Sequence, residues 1–201
     1  KSSSILIKKK IYFYSNSFFE NDLKNILATI LIISIFTDIR KLDKNFFYDN
    51  KVTNGRGDIV KVRLFKKNFY LMDESYNSNP LSLKSALKNF DMIKVDNTKK
   101  HLVLGDMLEL GKYSKKLHIE IGKSINKTSL KNVNVIGKHV KWIFNNVNKS
   151  KKGIILNKKS QIIDLIKNIL SNNDYLMIKG SNSTGLNSLA NQIKTGKIDA
   201  L

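Results

Sequence analysis

Cysteine is absent from this chain. Disulfides and thiolate-ligated metals are therefore excluded, and a reducing compartment, the cytoplasm, is the expected location. Proline occurs once, at Pro80, and no internal repeat or long low-complexity linker interrupts the 201 residues. The longest apolar run, Ile26 to Phe36, has 11 residues broken by Thr29 and Ser34, about half of what a membrane span needs. The start, Lys1-Ser2-Ser3-Ser4, leads into a short strand rather than into a signal peptide. A Gly-x-x-x-x-Gly-Lys-Ser/Thr phosphate loop is missing as well. Gly122-Lys123-Ser124 imitates its tail, but position 117 is Leu and the segment reads as helix interior.

Arginine is scarce: Arg40, Arg56 and Arg63 are the only three among 36 basic residues, set against 16 acidic ones. Base and phosphate readers lean on clustered arginine and stacked aromatics. The net charge of +20 is thus read as lysine scattered over solvated edges, such as Lys8-Lys9-Lys10 and Lys149-Ser150-Lys151-Lys152. It leaves a basic nucleic-acid-binding α/β domain as an alternative only. A basic face also suits a phosphorylated small molecule.

With 41% hydrophobic residues the chain can bury a core and suits one to two domains. Its pattern changes near residue 68. Before that point lie strand-like runs at Ile5 to Ile7 and Ile11 to Tyr14, a helix from about Asp22 to Phe36, and an irregular stretch ending in Asn54-Gly55-Arg56-Gly57-Asp58. After it, apolar runs at Phe69 to Met72, His101 to Leu104, Val133 to Ile136, Ile154 to Leu156 and Tyr175 to Ile178 alternate with amphipathic segments. Leu83, Ala86, Leu87 and Phe90 share one helical face, as do Ile162, Leu165, Ile166 and Ile169, and Leu186, Leu189, Ala190 and Ile193. Alternation of this kind implies an α/β fold, Rossmann-like, with a parallel-rich sheet over residues 69–201.

Polar clusters recur just past the strands. Asp73-Glu74-Ser75-Tyr76-Asn77-Ser78-Asn79-Pro80 closes the first and opens a helix, with Asn79 as cap and Pro80 at the first helical position. Gly105-Asp106-Met107-Leu108-Glu109-Leu110-Gly111 follows His101 to Leu104, and Lys179-Gly180-Ser181-Asn182-Ser183-Thr184-Gly185 follows Tyr175 to Ile178. Three such loops on one sheet edge make a ligand site, where glycine lets the backbone approach and lysine with free amides suits an anion. Taken singly, each loop is also satisfied by ordinary turn chemistry. His118, with Leu117, Ile121 and Ile125, reads as a packing or capping histidine rather than an acid or base, and Glu109 is open between such a chemical role and orienting its loop through backbone amides.

Gly55-Arg56-Gly57-Asp58, Asp73 through Pro80, Leu104 through Gly111, Leu117-His118-Ile119-Glu120-Ile121-Gly122 and Lys179 through Leu186 together resemble the C-terminal part of the Mur ligases, in the branch that adds D-alanyl-D-alanine. The resemblance implies residues 1–68 as the end of an α/β central ATPase domain and residues 69–201 as the C-terminal domain, the chain being a fragment. It implies ATP-dependent joining of D-alanyl-D-alanine to UDP-N-acetylmuramoyl tripeptide through an acyl phosphate, in peptidoglycan precursor synthesis. ATP and Mg2+ would act in the full-length enzyme, the magnesium ligands lying upstream. A non-catalytic nucleotide-binding remnant is the alternative. No nucleic acid, membrane span or resident metal is expected, and the chain is expected to be a monomer.

Residue by residue, the resemblance implies ATP contacts at Asn25, Arg56, Asp73 and Glu74. Arg56 matches a nucleotide-binding arginine, and Glu74 stands where an aspartate usually meets the ribose. Asn25 matches the last asparagine of an adenine contact whose first two members are replaced by Asn21 and Asp22. Asn77, Asn79 and Asp106 are expected to line the cleft for the peptide substrate. Lys179 and Ser181 either bind a substrate carboxylate or shape the last strand-helix turn. No catalytic residue is assigned.

Overall fold

The computed structural model describes residues 3–7, 10–15, 20–48 and 54–198; of the first lysine run, Lys8 and Lys9 lie outside them. The chain divides into two compact units, residues 1–51 and 52–201. In the first, β1 (Ser3–Ile7) and β2 (Lys10–Ser15) form an antiparallel hairpin, followed by α1 (Glu20–Phe36). Ile5 and Phe13 of the hairpin, Ile26 and Ile30 one turn apart on α1, and Phe47 make a small core. Phe13 meets Phe47 edge-on at 5.2 Å between centroids, a favoured aromatic geometry. The rest of α1 stays apolar but open: Leu31, Ile32, Ile35 and Phe36 are 58–83% exposed.

The second unit carries a six-stranded sheet in the order β3-β4-β8-β5-β6-β7. The strands are β3 (Asp58–Leu64), β4 (Lys67–Glu74), β5 (Lys100–Gly105), β6 (Val133–Ile136), β7 (Lys152–Leu156) and β8 (Tyr175–Lys179). All adjacent pairs are parallel except β3 with β4. The change of pattern near residue 68 therefore falls inside a hairpin, and the compact unit reaches back before it. Phe65 and Lys66 form the turn with φ of 51° and 61°, both left-handed. A two-residue turn with two positive φ angles matches the right-handed twist of paired strands.

Helices α2 (Pro80–Asp91), α3 (Ser114–Asn126), α4 (Lys141–Asn146), α5 (Ser160–Asn168) and α6 (Leu186–Thr195) connect or follow the parallel strands. Phe69, Leu71, Leu176 and Ile178 share one core with Ile162, Leu165 and Ile166 of α5 and Leu186, Leu189, Ala190 and Ile193 of α6. By strand alternation Met72, Leu102, Leu104 and Met177 point to the opposite face, and they too are buried, as are Leu83, Leu87 and Phe90 of α2 and Ile121 and Ile125 of α3. Both faces are thus covered, as a parallel sheet requires. Gly122 lies inside α3, where a Cβ would come within 2.7 Å of the Ile143 carbonyl; it is a helix-packing glycine.

Several lysines close the amino-terminal side of this sheet. Lys67 donates to the carbonyls of Lys167 (2.7 Å) and Leu170 (2.6 Å) at the end of α5, and Lys100 donates to Asp91 (2.8 Å) at the end of α2. Lys151 donates to the carbonyls of Thr128 and Leu130 just past α3. Helix ends leave carbonyls unpaired and carry partial negative charge, so an ammonium group satisfies both needs.

Replacing Phe65-Lys66 with Asn-Gly removes two side chains from left-handed backbone. The double variant should gain about 0.5–1 kcal/mol of stability, read as a higher urea midpoint. A lowered midpoint would contradict the turn.

Candidate functional site

Strands β4, β8 and β5 are adjacent and parallel, so the loops that follow them leave from one edge. The chain after β5 enters α3 on one face, whereas the chain after β8 enters α6 on the other. Between β8 and β5 the sheet therefore has a crevice of the kind in which open α/β sheets bind ligands. Two glycines let the strands end close together: a Cβ on Gly105 would lie 3.4 Å from the Cα of Gly180 and 2.6 Å from a methyl of Leu186.

Ser181 stitches the three loops. Its hydroxyl donates to the Ser78 carbonyl (3.3 Å) and accepts from the Leu108 amide (2.9 Å), while its own amide donates to the Asp106 carbonyl (3.0 Å). Lys179, 2% exposed, gives all its donors to the protein: to the Asn77 carbonyl (2.9 Å), the Glu74 carbonyl (3.3 Å) and Glu74 Oε2 (3.3 Å). Burial pushes its pKa down, and Glu74 offsets part of that.

A second cation sits beside this pair. Lys194 Nζ, on α6, is 2.6 Å from both Asp58 Oδ2 and Asp73 Oδ2. Burial opposes its charge, but the two carboxylates outweigh that cost and hold its pKa above the ordinary value. Asp73 also accepts from the amide and hydroxyl of Ser75. The Gly55–Asp58 loop is folded onto the same strand end: Gly57 N donates to Asp73 O (2.7 Å) and Tyr76 N to Gly55 O (3.0 Å). Gly57 has φ of 98°, and a Cβ there would sit 2.9 Å from Glu74 Oε1. Arg56 ends up exposed, its guanidinium 4.7 Å from the Tyr76 ring centroid.

Arg56, Asp73 and Glu74 are therefore brought together, as are Asn77, Lys179 and Ser181. Asn25 belongs to the first unit, exposed on α1. Asn79 caps α2, accepting from Ser82 N at 2.8 Å above Pro80. Asp106 fastens the β6–α4 loop, its two oxygens accepting from Lys138 N (3.1 Å) and Val140 N (2.6 Å). This close wrap needs Gly137, whose φ is 132° and where a Cβ would meet the Asp106 carboxylate at 2.6 Å. His118 is fully buried. Its Nδ1 donates to Ser114 O (2.8 Å) and its Nε2 accepts from Met107 N (3.2 Å), the neutral tautomer holding the loop from below.

A cleft of about 480 Å³ opens over this framework, lined by Tyr76, Asn77, Leu108, Glu109, Ser181, Asn182 and Ser183. Glu109 makes no hydrogen bond to loop amides among the described residues, unlike the sequence expectation. Lys194 carried no sequence signal beyond its place next to the apolar face of α6. Among the described residues, no group of three His, Cys, Asp or Glu side chains is placed to hold a metal ion. No helix there is long and apolar enough to cross a membrane.

Residues 55–182 match the family model described as Mur ligase, glutamate ligase domain. The chain belongs to the Mur ligase family. Relatives named UDP-N-acetylmuramoyl-tripeptide--D-alanyl-D-alanine ligase include one from Rickettsia prowazekii, 29% identical over 82% of this chain and 35% of its own length. Another, from Buchnera aphidicola, is 32% identical over 67% of this chain and 30% of its own. The chain thus spans about a third of the curated relatives it matches. The MurF ligase of Thermotoga maritima, solved in complex with ADP, superposes with a TM-score of 0.75 at 20% identity, over 94% of this chain and 42% of that one. At that identity the likeness establishes the Mur ligase fold.

Two outcomes follow for this Mur ligase domain. Lys194→Met leaves Asp58 and Asp73 facing each other without a cation and should cost about 3–5 kcal/mol, read as a drop in urea midpoint; an unchanged midpoint would contradict the paired geometry. Burial holds the His118 pKa below its ordinary 6.5, and the Ser114 bond offsets that only in part. The unfolded chain then binds the proton first, so this histidine's contribution is complete above about pH 6.5 and is lost as pH falls through its folded value. Ring NMR titration of the folded chain should place His118 below 6.5; a value above it would refute the neutral, buried ring.

Proposed function

We propose that this chain is the acceptor-side and nucleotide-closing portion of an ATP-dependent ligase that joins D-alanyl-D-alanine to UDP-N-acetylmuramoyl tripeptide. The observation that carries the reading is the cleft at the β8/β5 crevice, built from three of the loops whose sequences resemble the family and flanked by Arg56. The names borne by the relatives supply the substrates.

A carboxylate is a poor electrophile. In the proposed reaction ATP phosphorylates the terminal carboxylate of the tripeptide, and the amine of the dipeptide attacks the acyl phosphate, forming the peptide bond and releasing phosphate. The contribution of this chain is positioning and exclusion of water, both large effects when two substrates must meet. Arg56 fits a phosphate: its guanidinium stacks on Tyr76 with no carboxylate or carbonyl partner among the described residues, so its donors face outward for bidentate bonding. Glu74, which bonds Lys179 through Oε2, is the residue proposed to meet a ribose hydroxyl. Magnesium bound with ATP would offset charge on the transferred phosphoryl group; no residue of this chain is assigned to it. Asp73 is the support beneath Glu74 rather than a contact. Reading Lys179 as a substrate-carboxylate ligand would require it to surrender internal acceptors, so its role is to hold the strand-helix turn.

The test joins the chain covalently behind the remaining domains of a relative named for this activity. Phosphate release from ATP should then require both UDP-N-acetylmuramoyl tripeptide and D-alanyl-D-alanine, with the pentapeptide product seen by mass. Arg56→Ala in that protein should weaken ATP use by about 1–3 kcal/mol. Product from the 201 residues alone, or none from the joined and folded protein, would overturn the reading.

A further inference from the structure

The cleft is poor in the residue that the chain has in excess. In a protein of net charge +20, none of its lining residues is lysine, and Glu109 is the one carboxylate on its wall. Of the nearby ammonium groups, Lys179 is engaged with Glu74 and Lys194 with Asp58 and Asp73, while Lys159 Nζ lies beside Gly185 rather than on the cleft wall. Lys112 lies over the ring of Tyr113 at 5.4 Å. Glu109 is exposed and has no hydrogen-bond or ion-pair partner among the described residues.

Its backbone is unusual as well. Glu109 has φ of 61°, a left-handed conformation that glycine adopts freely and a glutamate adopts at a cost. The loop enforces it: on its amino-terminal side Met107 N is bonded to His118 and Leu108 N to Ser181. A strained side chain held over a cleft by its neighbours is the pattern from which function is inferred.

We infer that Glu109 receives the protonated amine of the incoming acceptor, a primary-ammonium peptide, at the open side of this cleft. The inference rests on the proposed reading that the cleft takes the amine substrate, and it names the contact. A carboxylate accepts charge-assisted hydrogen bonds from an ammonium group. The surrounding Asn77, Asn182 and Ser183 side chains offer neutral donors and acceptors to a short peptide backbone. A lysine on the wall would occupy Glu109 internally, so the absence of lysine keeps the carboxylate available.

The 201-residue chain is titrated by NMR with D-alanyl-D-alanine, N-acetyl-D-alanyl-D-alanine and L-alanyl-L-alanine. Free D-alanyl-D-alanine should shift the amides of residues 108–110 and 182–183, and acetylation should weaken binding roughly tenfold, the low end for a charged hydrogen bond in an open site. Glu109→Gln should abolish that difference. Glu109→Gly should lose it too while melting no lower than the unaltered chain, which separates the ligand contact from a purely structural role. Binding of L-alanyl-L-alanine but not of its D,D counterpart, still dependent on Glu109, would support the ammonium contact and sink the dipeptide reading. Equal binding of free and acetylated D,D-dipeptide, or undiminished binding by Glu109→Gln, would overturn the inference and leave the dipeptide reading standing. No cleft shift with either free-amine peptide would overturn the inference outright.

Discussion

The ammonium group of Lys179 constrains everything at the carboxyl edge of the sheet. Removing a cation from water costs several kcal/mol unless every donor is paired, and Lys179 is 2% exposed. Its acceptors come from the end of β4 and from the loop beyond it, Glu74 and Asn77. Satisfying them turns the Asn77 carbonyl inward, which leaves the Asn77 and Tyr76 side chains outside, on the cleft wall. Two residues further along, Ser181 faces the same loop and bonds to Ser78. The cleft is shaped by the need to neutralise one buried charge.

The same logic changes how the overall charge is read. Lys67, Lys100 and Lys151 spend their ammonium groups on carbonyls at or just past helix ends, and Lys179 and Lys194 on carboxylates at the site. These lysines belong to the interior scheme of the fold rather than to a binding face. The described cleft carries none of the remainder. Net charge is therefore a poor guide to the ligand here, and the local wall of Glu109, hydroxyls and amides is a better one.

Much of the fold was legible because its parallel strands are short apolar runs that end in polar clusters. Asn79-Pro80 marked the start of α2 correctly, since a capping side chain and a fixed φ are local properties. The strand β3 was not visible. Its turn, Phe65-Lys66, lacks the glycine or asparagine that signals a two-residue hairpin, so the edge strand before it carried no hairpin signal. At the site, motif spacing located the loops but not the commitments of their atoms. Nothing in the sequence says that Asp106 will be spent on the amides of residues 138 and 140, or that a lysine near the end of α6 will bridge Asp58 and Asp73.

Those commitments divide the motif residues by physical role. Asp73, Asn79, Asp106, Lys179 and Ser181 have side chains engaged within the protein, and each ties a loop to a strand end or a helix start. Arg56, Glu109, Asn182 and Ser183 present their side-chain polar atoms outward. A ligand meeting the second group finds donors and acceptors already oriented, because the first group has met the ordering cost during folding. Preorganisation of this kind matters most where an amine must be held against a reactive carbonyl, since misplacement by an ångström is enough to lose most of the rate. The buried ion pairs at the strand ends are thus the means by which a lysine-rich α/β domain keeps a lysine-free cleft wall, with one carboxylate, in fixed position.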